Sequence, residues 1–268
     1  MVKYDKRRGE IVLVLLDIDG TLLNSDNNID DRTINVVKYY NYKNRFVLCS
    51  ARKPSSTNLI AKQLELKEKI IICYNGALII EGKQKICEKP LSVEIVKKVV
   101  NVAKKYNISI NIYSNDMWFA NELNDLVLNE AEIIREKPLV IKDSTKFENL
   151  TIHKILLLGN EEKLKLVRNE INEINNITVC NSKTGYLEIT SFGASKRTAF
   201  EYLLEYLSVA SKDSLAIGDS YNDLELLQCV EIGIAMENSP EEVKRVAKYV
   251  TYSNDKNGVE YALKRFLK

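Results

Sequence analysis

The sequence has 268 residues, which is long enough for one large domain or two smaller ones, since domains commonly span about 100–200 residues. Hydrophobic residues make up 45% and charged residues 28%, a composition typical of soluble globular proteins that argues against a disordered or fibrous chain. The 39 Lys and Arg residues nearly balance the 37 Asp and Glu residues, and a net charge of +2 is too small to indicate nucleic acid or a membrane surface as the partner.

The start of the chain, residues 1–10, is charged and lacks the apolar stretch of a signal peptide. The longest apolar runs, such as residues 11–16 and 155–158, are far shorter than the roughly 20 residues that cross a bilayer. We therefore expect a cytoplasmic protein with no membrane partner.

Short apolar runs rich in β-branched residues recur along the chain and are each followed by polar turn residues, the pattern of doubly buried parallel strands. Between them lie stretches with apolar residues at helical spacing. Strands that alternate with helices predict an α/β fold with a parallel sheet. The predicted strands are residues 11–16, 46–49, 70–73, 214–217 and 232–235, and the predicted helices include residues 33–42, 55–66 and 198–207.

An interruption of this alternation begins near residue 82. A predicted long helix and alternating strands follow, and a second helix and strand then repeat the pattern, which hints at a duplicated unit. These predicted elements are helix 92–106, strand 109–113, helix 161–174 and strand 177–180. We expect an inserted α+β domain over residues 83–187, joined by short connections suited to a hinged lid, with residues 1–82 and 188–268 forming the α/β core.

The cysteines are five in number, widely separated and never arranged as CxxC, which argues against a zinc site or a disulfide framework. Free cysteine is usually buried, so we expect plain buried thiols. These residues are Cys49, Cys73, Cys87, Cys180 and Cys229.

Two carboxylates follow the first predicted strand. Asp17 and Asp19 are two positions apart, so strand geometry directs both to one side, and Gly20 supplies a turn. Open α/β sheets bind ligands at the carboxyl ends of their strands, so this pair predicts a cation site and a carboxylate able to attack phosphorus. By itself the pattern also fits acids and a glycine that merely end a strand.

A second acidic strand end favours the functional interpretation. The run from Gly218 to Asp223 follows the apolar residues 215–217, nearly two hundred positions downstream of the first acids. The acids of two strand ends can share one magnesium ion.

Two further segments suit a phosphate group. Ser50, Ala51 and Arg52 follow a predicted strand with a hydroxyl and a cation. Ser195 can cap the helix that follows it. Lys196 would then lie in the first helical turn, where the helix dipole disfavours a lysine unless an anion is bound there. An ordinary surface lysine is the alternative.

The order of these segments resembles the haloacid dehalogenase superfamily, with residues 17–21, Ser50, Lys196 and residues 218–223 as its four motifs. Further runs are similar to the Cof-type sugar phosphatases of that superfamily, namely residues 74–77, 234–239, 242–244 and 257–259. This resemblance implies a Rossmann-like parallel-sheet core with a large α+β cap inserted between motifs two and three, where the sequence places its extra domain.

The same resemblance implies a role for each motif residue. Asp17 would attack phosphorus and form an aspartyl phosphate, and Asp19 would protonate the leaving oxygen and later activate water. Magnesium would be held by Asp17, Asp219 and the backbone carbonyl of Asp19. Asp223 would orient Lys196 or a metal-bound water. The phosphoryl oxygens would be bound by Ile18, Ser50, the N–H of Ala51, Lys196 and Asn222.

Residues that choose the substrate are expected outside these roles. Arg52 is predicted at the mouth of the pocket, where its charge could meet substrate oxygens. Tyr113 and Trp118 could line a substrate pocket, although aromatic residues beside strands more often serve packing. His153, the single histidine, is interpreted as an ordinary strand-end residue.

Three functions are compatible with these patterns. The first is magnesium-dependent hydrolysis of a small phosphate ester, with a sugar phosphate as the expected substrate. The second is phosphoryl transfer by a mutase of the same superfamily, and the third is a protein that binds a phosphorylated metabolite without turnover. Intact Asp17 and Asp19 argue against the third. We expect a monomer or weak homo-oligomer without a nucleic-acid partner.

Overall fold

The computed structural model describes residues 12–134, 136–181 and 183–268. The described chain forms two compact units, the first made of residues up to Ile86 together with Ser195–Lys268, and the second of Cys87–Ala194. Residues 1–10, for which we predict no signal peptide, lie outside the described residues. No helix in the described part of the chain is long and apolar enough to span a membrane.

Strands and helices alternate through most of the chain. The strands are β1 (Leu13–Leu16), β2 (Arg45–Cys49), β3 (Ile70–Cys73), β4 (Leu78–Glu81), β5 (Gln84–Glu88), β6 (Ser109–Ser114), β7 (Met117–Ala120), β8 (Leu139–Val140), β9 (Ile152–Leu158), β10 (Ile177–Cys180), β11 (Tyr186–Ser191), β12 (Ser214–Gly218), β13 (Ile232–Ala235) and β14 (Tyr249–Val250). The α-helices are α1 (Asp31–Tyr40), α2 (Pro54–Gln63), α3 (Val93–Lys105), α4 (Asp125–Ile134), α5 (Glu161–Ile171), α6 (Lys196–Leu207), α7 (Leu224–Cys229), α8 (Glu241–Val246) and α9 (Gly258–Phe266). Short 3-10 helices lie at Tyr74–Gly76, Ser144–Asn149, Ser211–Asp213, Tyr221–Asp223 and Asn254–Lys256.

The first unit is built on an eight-stranded sheet with the order β14-β13-β12-β1-β2-β3-β4-β5. β1 lies between β12 and β2 and is parallel to both, with Leu16 opposite Ile217 and Leu48. All of β1 is buried, as expected for a central strand that is apolar on both faces. The prediction of an α/β fold with parallel strands is confirmed.

The second unit contains a six-stranded sheet with the order β10-β11-β9-β6-β7-β8. Its inner strands β11, β9 and β6 pair in an antiparallel manner. The helices α3 and α5 are each followed by an antiparallel pair of strands, β6 with β7 and β10 with β11. A buried hydrophobic core joins these helices to the sheet through residues that include Val99, Ile110, Ile155, Val167 and Ile189.

The limits of the second unit differ from the predicted domain boundaries at residues 83 and 187. β5 is the edge strand of the first unit's sheet, and the second unit begins near the end of this strand, at Cys87. β11 is hydrogen-bonded on both sides, to β9 and to β10, within the sheet of the second unit. The second unit therefore extends to Ala194.

Candidate active site

The carboxyl ends of three neighbouring strands meet at one edge of the eight-stranded sheet. Asp17 follows β1, Ser50 follows β2 and Asp219 follows β12. The ladder continues one residue past β1, since the N–H of Asp17 donates to the carbonyl of Ile217 at 3.0 Å. The parallel order of the strands thus brings residues that are distant in sequence to one place.

Lys196 is the first residue of α6 and is fully buried. The helix is capped by Ser195, whose hydroxyl accepts from the N–H of Thr198 at 3.2 Å. The Nζ of Lys196 lies 2.5 Å from Oδ1 of Asp17 and 2.6 Å from Oδ1 of Asp223. One buried cation therefore contacts two buried carboxylates.

Burial and charge act against each other in this cluster. Burial disfavours the charge on Lys196, but the carboxylates of Asp17 and Asp223 outweigh it and raise the pKa of Lys196 above its ordinary value. Burial also raises the pKa of Asp17, and the attraction of Lys196 offsets only part of that rise. Burial and the charge of Asp223 raise the pKa of Asp219 to about 6. The cluster holds more negative charge than one lysine can balance.

The donor set of this cluster fits a divalent cation. One oxygen from each of Asp17, Asp219 and Asp223 lies within 4.8 Å of the others. Oδ1 of Asp223 is engaged with Lys196. Its Oδ2 accepts hydrogen bonds from the N–H groups of Asp219 at 3.2 Å and Ser220 at 3.1 Å. Asp17 and Asp219 are therefore the side chains best suited to hold magnesium, which prefers oxygen ligands and would relieve their mutual repulsion.

Two glycines let the carboxylates lie against the backbone. Gly20 has a φ of +77°, and a Cβ at this position would overlap the carboxylate of Asp219. A Cβ on Gly218 would overlap the carboxyl group of Asp223 in the same way. Glycine leaves this space free and, at Gly20, adopts the left-handed backbone without strain. The two acidic motifs therefore supply both the acids and the room that the acids need.

Asp19 lies in the loop after β1, with its side chain 55% exposed. The guanidinium of Arg52 donates two hydrogen bonds to it, from Nε to Oδ2 at 2.9 Å and from Nη2 to Oδ1 at 2.6 Å. The N–H of Arg52 donates to Oγ of Ser50 at 3.1 Å. The residue that we predict at the pocket mouth is thus paired with the predicted acid–base residue.

The other predicted phosphate ligands lie on the loops that follow β1, β2 and β12. Ile18 is buried next to Asp17, and Ala51 directly follows the buried Ser50. Asn222 lies in the short helix after β12, and its Nδ2 donates to Oδ1 of Asn75 at 2.9 Å. The structure therefore brings all four predicted motifs to the edge of the sheet that carries Asp17.

Comparison with known proteins assigns the chain to a family. The profile of the haloacid dehalogenase-like hydrolases matches residues 14–263. The chain belongs to this family. The predicted family is confirmed, and with it the prediction of a hydrolytic enzyme.

Similar proteins align with this hydrolase over almost its whole length. A 5-amino-6-(5-phospho-D-ribitylamino)uracil phosphatase of Bacillus subtilis is 25% identical over 265 residues, which are 95% of this chain and 97% of that protein. The crystal structure of a haloacid dehalogenase-like hydrolase from Bacteroides thetaiotaomicron gives a TM-score of 0.89 at 31% identity, covering 96% of this chain and 99% of that one. A sugar phosphatase of haloacid dehalogenase subclass IIB shares the fold, with a TM-score of 0.84 at 21% identity over 95% of this chain and 98% of that one.

Two asparagines of this haloacid dehalogenase-like hydrolase hold the loop after β1, although the sequence analysis assigns them no role. Asn238 donates from Nδ2 to the carbonyl of Gly20 at 2.9 Å, and its Oδ1 accepts from the N–H of Asn254 at 3.1 Å. The Nδ2 of Asn254 donates to the carbonyl of Leu23 at 2.8 Å. The resemblance of residues 234–239 to Cof-type phosphatases points to Asn238, but it does not predict that this side chain binds the carbonyl of Gly20.

The aromatic residues predicted to contact substrate are interior residues of the second unit. Trp118 is fully buried, and its Nε1 donates to Oδ1 of Asn111 at 3.0 Å. Tyr113 stacks on Trp118 with ring centroids 6.0 Å apart, and Nζ of Lys154 lies 4.7 Å from the centre of the Tyr113 ring. His153 is buried as well. These contacts agree with the packing alternative, and a role for either aromatic residue at the substrate stays a prediction.

Proposed function

We propose that this haloacid dehalogenase-like phosphatase hydrolyses small phosphate monoesters, with sugar phosphates as its substrate class and magnesium as its cofactor. The observation that carries the proposal is the position of Asp17, an almost buried carboxylate at the end of the central strand β1. It contacts Lys196, and one of its oxygens lies within 4.8 Å of an oxygen of Asp219. A carboxylate nucleophile needs cations beside it, because both it and the phosphate that it attacks are anionic. Lys196 supplies one cation, and magnesium held by Asp17 and Asp219 would supply a second.

Asp17 is the nucleophile in this proposal. One of its carboxylate oxygens forms a bond to phosphorus while the bond from phosphorus to the leaving oxygen breaks, which gives an aspartyl phosphate and an alcohol. Lys196 stays protonated beside Asp17 and stabilises the negative charge that gathers there. Magnesium held by Asp17 and Asp219 would add positive charge next to the phosphoryl oxygens.

Asp19 is the proposed acid and base. It gives a proton to the leaving oxygen in the first step and takes a proton from the attacking water in the second. The bond between Asp17 and phosphorus then breaks, so that orthophosphate leaves and the carboxylate is restored. In the ionised form the carboxylate of Asp19 accepts two hydrogen bonds from Arg52, which orient it for taking the proton from water; one of these bonds has to break when Asp19 carries the proton.

The phosphoryl oxygens have a proposed set of ligands. Hydrogen-bond donors that are fixed before the reaction stabilise the charge on these oxygens without having to reorganise. Support for this set comes from the place of its members beside Asp17, Lys196 at the start of α6 and the others on the loops after β1, β2 and β12. Its members are Ile18, Ser50, the N–H of Ala51, Lys196 and Asn222.

The second unit, Cys87–Ala194, is proposed to act as a cap domain that excludes water and selects the leaving group. The substrate class is supported by the Bacillus subtilis relative, whose name specifies a phosphorylated ribityl compound. A polyhydroxylated leaving group of similar size is our expectation for this chain. Arg52, Tyr113 and Trp118 are proposed to take part in its selection.

The test compares the wild-type protein with Asp17→Asn on p-nitrophenyl phosphate and on a panel of sugar phosphates, with magnesium and with a chelator. We expect the wild type to release orthophosphate only with magnesium, and Asp17→Asn to release none above background. Full activity of Asp17→Asn, or a wild type that binds phosphate esters without hydrolysing them, contradicts the proposal. Label passing from one sugar to another without release of orthophosphate identifies a mutase instead.

A further inference from the structure

The turn that follows β3 has an unusual backbone. Tyr74, Asn75 and Gly76 have φ values of 53°, 56° and 100°, so three consecutive residues lie in the left-handed region. Residues other than glycine adopt this region rarely, and asparagine tolerates it better than most. Residues 74–77 resemble the corresponding run of Cof-type phosphatases, a resemblance that implies no function for them. The conformation indicates that the turn serves the residues around it.

The backbone of this turn is attached to the loop that carries Ser50. The N–H of Asn75 donates to the carbonyl of Ser50 at 3.0 Å, and the N–H of Tyr74 donates to the carbonyl of Arg52 at 3.2 Å. Gly76 lies directly against the carbonyl of Ser195, where a Cβ would overlap it. The turn therefore contacts the loop after β2 and the residue that caps α6.

The side chain of Asn75 reaches a third segment. Its Oδ1 accepts the hydrogen bond from Nδ2 of Asn222 at 2.9 Å, across 147 positions of sequence. The Oδ1 of Asn222 is buried and has no hydrogen-bond partner among the described residues, so the contact with Asn75 is the one that fixes the plane of this amide. An asparagine amide carries two N–H donors, and the bond to Asn75 uses one of them. The second N–H is left for another acceptor.

We propose that Asn75 is a positioning residue that orients the amide of Asn222 toward the bound phosphate and ties it to the loop of Ser50. The proposal rests on the function proposed above, in which Ser50 and Asn222 bind the phosphoryl oxygens. Asn75 meets phosphate only through Asn222. Removing the side chain of Asn75 should therefore weaken phosphate binding as much as removing the amide of Asn222. Removing both should weaken it no more than removing either one.

Two substitutions of Asn75 separate the side chain from the backbone. Asn75→Gly keeps the left-handed conformation and the N–H to Ser50 but removes the acceptor for Asn222. Asn75→Asp keeps an acceptor at the same place. The matched control is Asn107→Gly, because Asn107 is an exposed asparagine with a φ of 53° in the second unit. Thermal unfolding of all variants checks that they fold, and Asn75→Ser replaces Asn75→Gly if the glycine variant does not.

The measurement is the affinity for inorganic phosphate in the presence of magnesium, by calorimetry and by inhibition of p-nitrophenyl phosphate hydrolysis. We expect Asn75→Gly to weaken it by about fivefold, the effect of one ordinary hydrogen bond, and to raise KM more than it lowers kcat. Asn222→Ala should weaken it by a similar factor, and the double variant by no more than the single ones. Asn75→Asp should bind phosphate more tightly than Asn75→Gly because it keeps the acceptor for Asn222, but less tightly than the wild type because its negative charge repels phosphate, and Asn107→Gly should match the wild type.

Two results overturn the role of Asn75 but leave the proposed function standing. The first is an active wild type whose phosphate affinity equals that of Asn75→Gly. The second is a double variant whose loss of phosphate affinity equals the product of the losses in Asn75→Gly and Asn222→Ala. A wild-type protein that neither hydrolyses p-nitrophenyl phosphate nor binds phosphate overturns the proposed function and this role together. The activity of the wild type thus tells the two failures apart.

Discussion

The carboxylate of Asp19 accepts two hydrogen bonds from the guanidinium of Arg52, at 2.9 Å and 2.6 Å. A two-point contact between arginine and a carboxylate fixes the orientation of both groups, and lysine cannot reproduce it because its ammonium is a point charge. The orientation of the proposed acid–base residue therefore depends on a residue of the loop after β2.

Arg52→Ala and Arg52→Lys are both expected to lower kcat/KM by about 10-fold or more, because each leaves Asp19 without its two-point partner. Because Arg52 is also proposed to take part in substrate selection, we expect the size of the loss to differ among the sugar phosphates of a panel measured by steady-state kinetics. The control is Arg45→Ala, which removes the first residue of β2, whose Nε lies 3.5 Å from Glu68, and it should retain activity. An equal loss for every substrate would contradict a role of Arg52 in selection and indicate that it acts only through Asp19.

Lys196→Ala is expected to lower the free energy of unfolding by about 3–5 kcal/mol, because Asp17 and Asp223 then share a buried site without their cation. Chemical denaturation in a chelator measures this change without magnesium. The control is Lys256→Ala, whose exposed pair with Glu237 should contribute little to stability because water screens it. If the two variants lost the same free energy of unfolding, burial of the Lys196 ion pairs would not be the reason for their contribution to stability.

The affinity for magnesium is expected to fall as the pH falls through about 6, because burial and the charge of Asp223 raise the pKa of Asp219 to about 6 and the ion needs the carboxylate form. In the metal-free protein, the folded state holds this proton more tightly than the unfolded chain does. The proton on Asp219 therefore contributes to the stability of the folded state. This contribution is fully present below roughly pH 4 and is lost as the pH rises through about 6.

Calorimetric titration with magnesium at about pH 5 and about pH 7.5 measures this dependence. Asp219→Asn is the control, since it removes one of the two ligands whose pKa burial raises; binding should weaken at both values, and the pH dependence that remains should come from Asp17. Equal affinity of the wild type at the two pH values would contradict a magnesium site at Asp219.

Gly20→Ala is expected to weaken magnesium binding and lower kcat/KM, because the added Cβ would displace the carboxylate of Asp219. Gly82→Ala is a matched control: Gly82 also has a positive φ, +61°, but among the described residues no atom other than those of its chain neighbours lies within 4 Å of the position of a Cβ. Both variants should lose about 1 kcal/mol of stability through the backbone, measured by thermal unfolding. Magnesium affinities that fall equally in both would show that backbone strain, and not the overlap with Asp219, is responsible.

The residues that follow buried strands could be predicted from the sequence. Asp17, Ser50 and Asp219 each come directly after an apolar run, and a parallel sheet brings the carboxyl ends of its neighbouring strands together. Lys196 follows a capping serine, so its place at the start of a helix could also be predicted. Hydrophobic periodicity therefore locates the strand ends and helix starts, and with them the motif residues.

Contacts between loops could not be predicted in this way. The pairing of Arg52 with Asp19 and of Asn222 with Asn75 depends on the path of loops, which hydrophobic periodicity does not encode. The second unit extends to Ala194, past the predicted boundary at residue 187, for a related reason. β11 has the same alternating pattern whichever sheet it joins, and its partners decide to which unit it belongs.

The loop that follows the first strand depends on asparagines from the last part of the chain. The carbonyls of Gly20 and Leu23 are held by Asn238 and Asn254, and a ribosome makes these asparagines more than two hundred residues after β1. A growing polypeptide therefore carries Asp17 long before it carries the residues that set the shape of the adjoining loop. We expect the enzyme to gain activity only after translation has passed Asn254, so that incomplete chains leave the phosphate esters of the cell untouched.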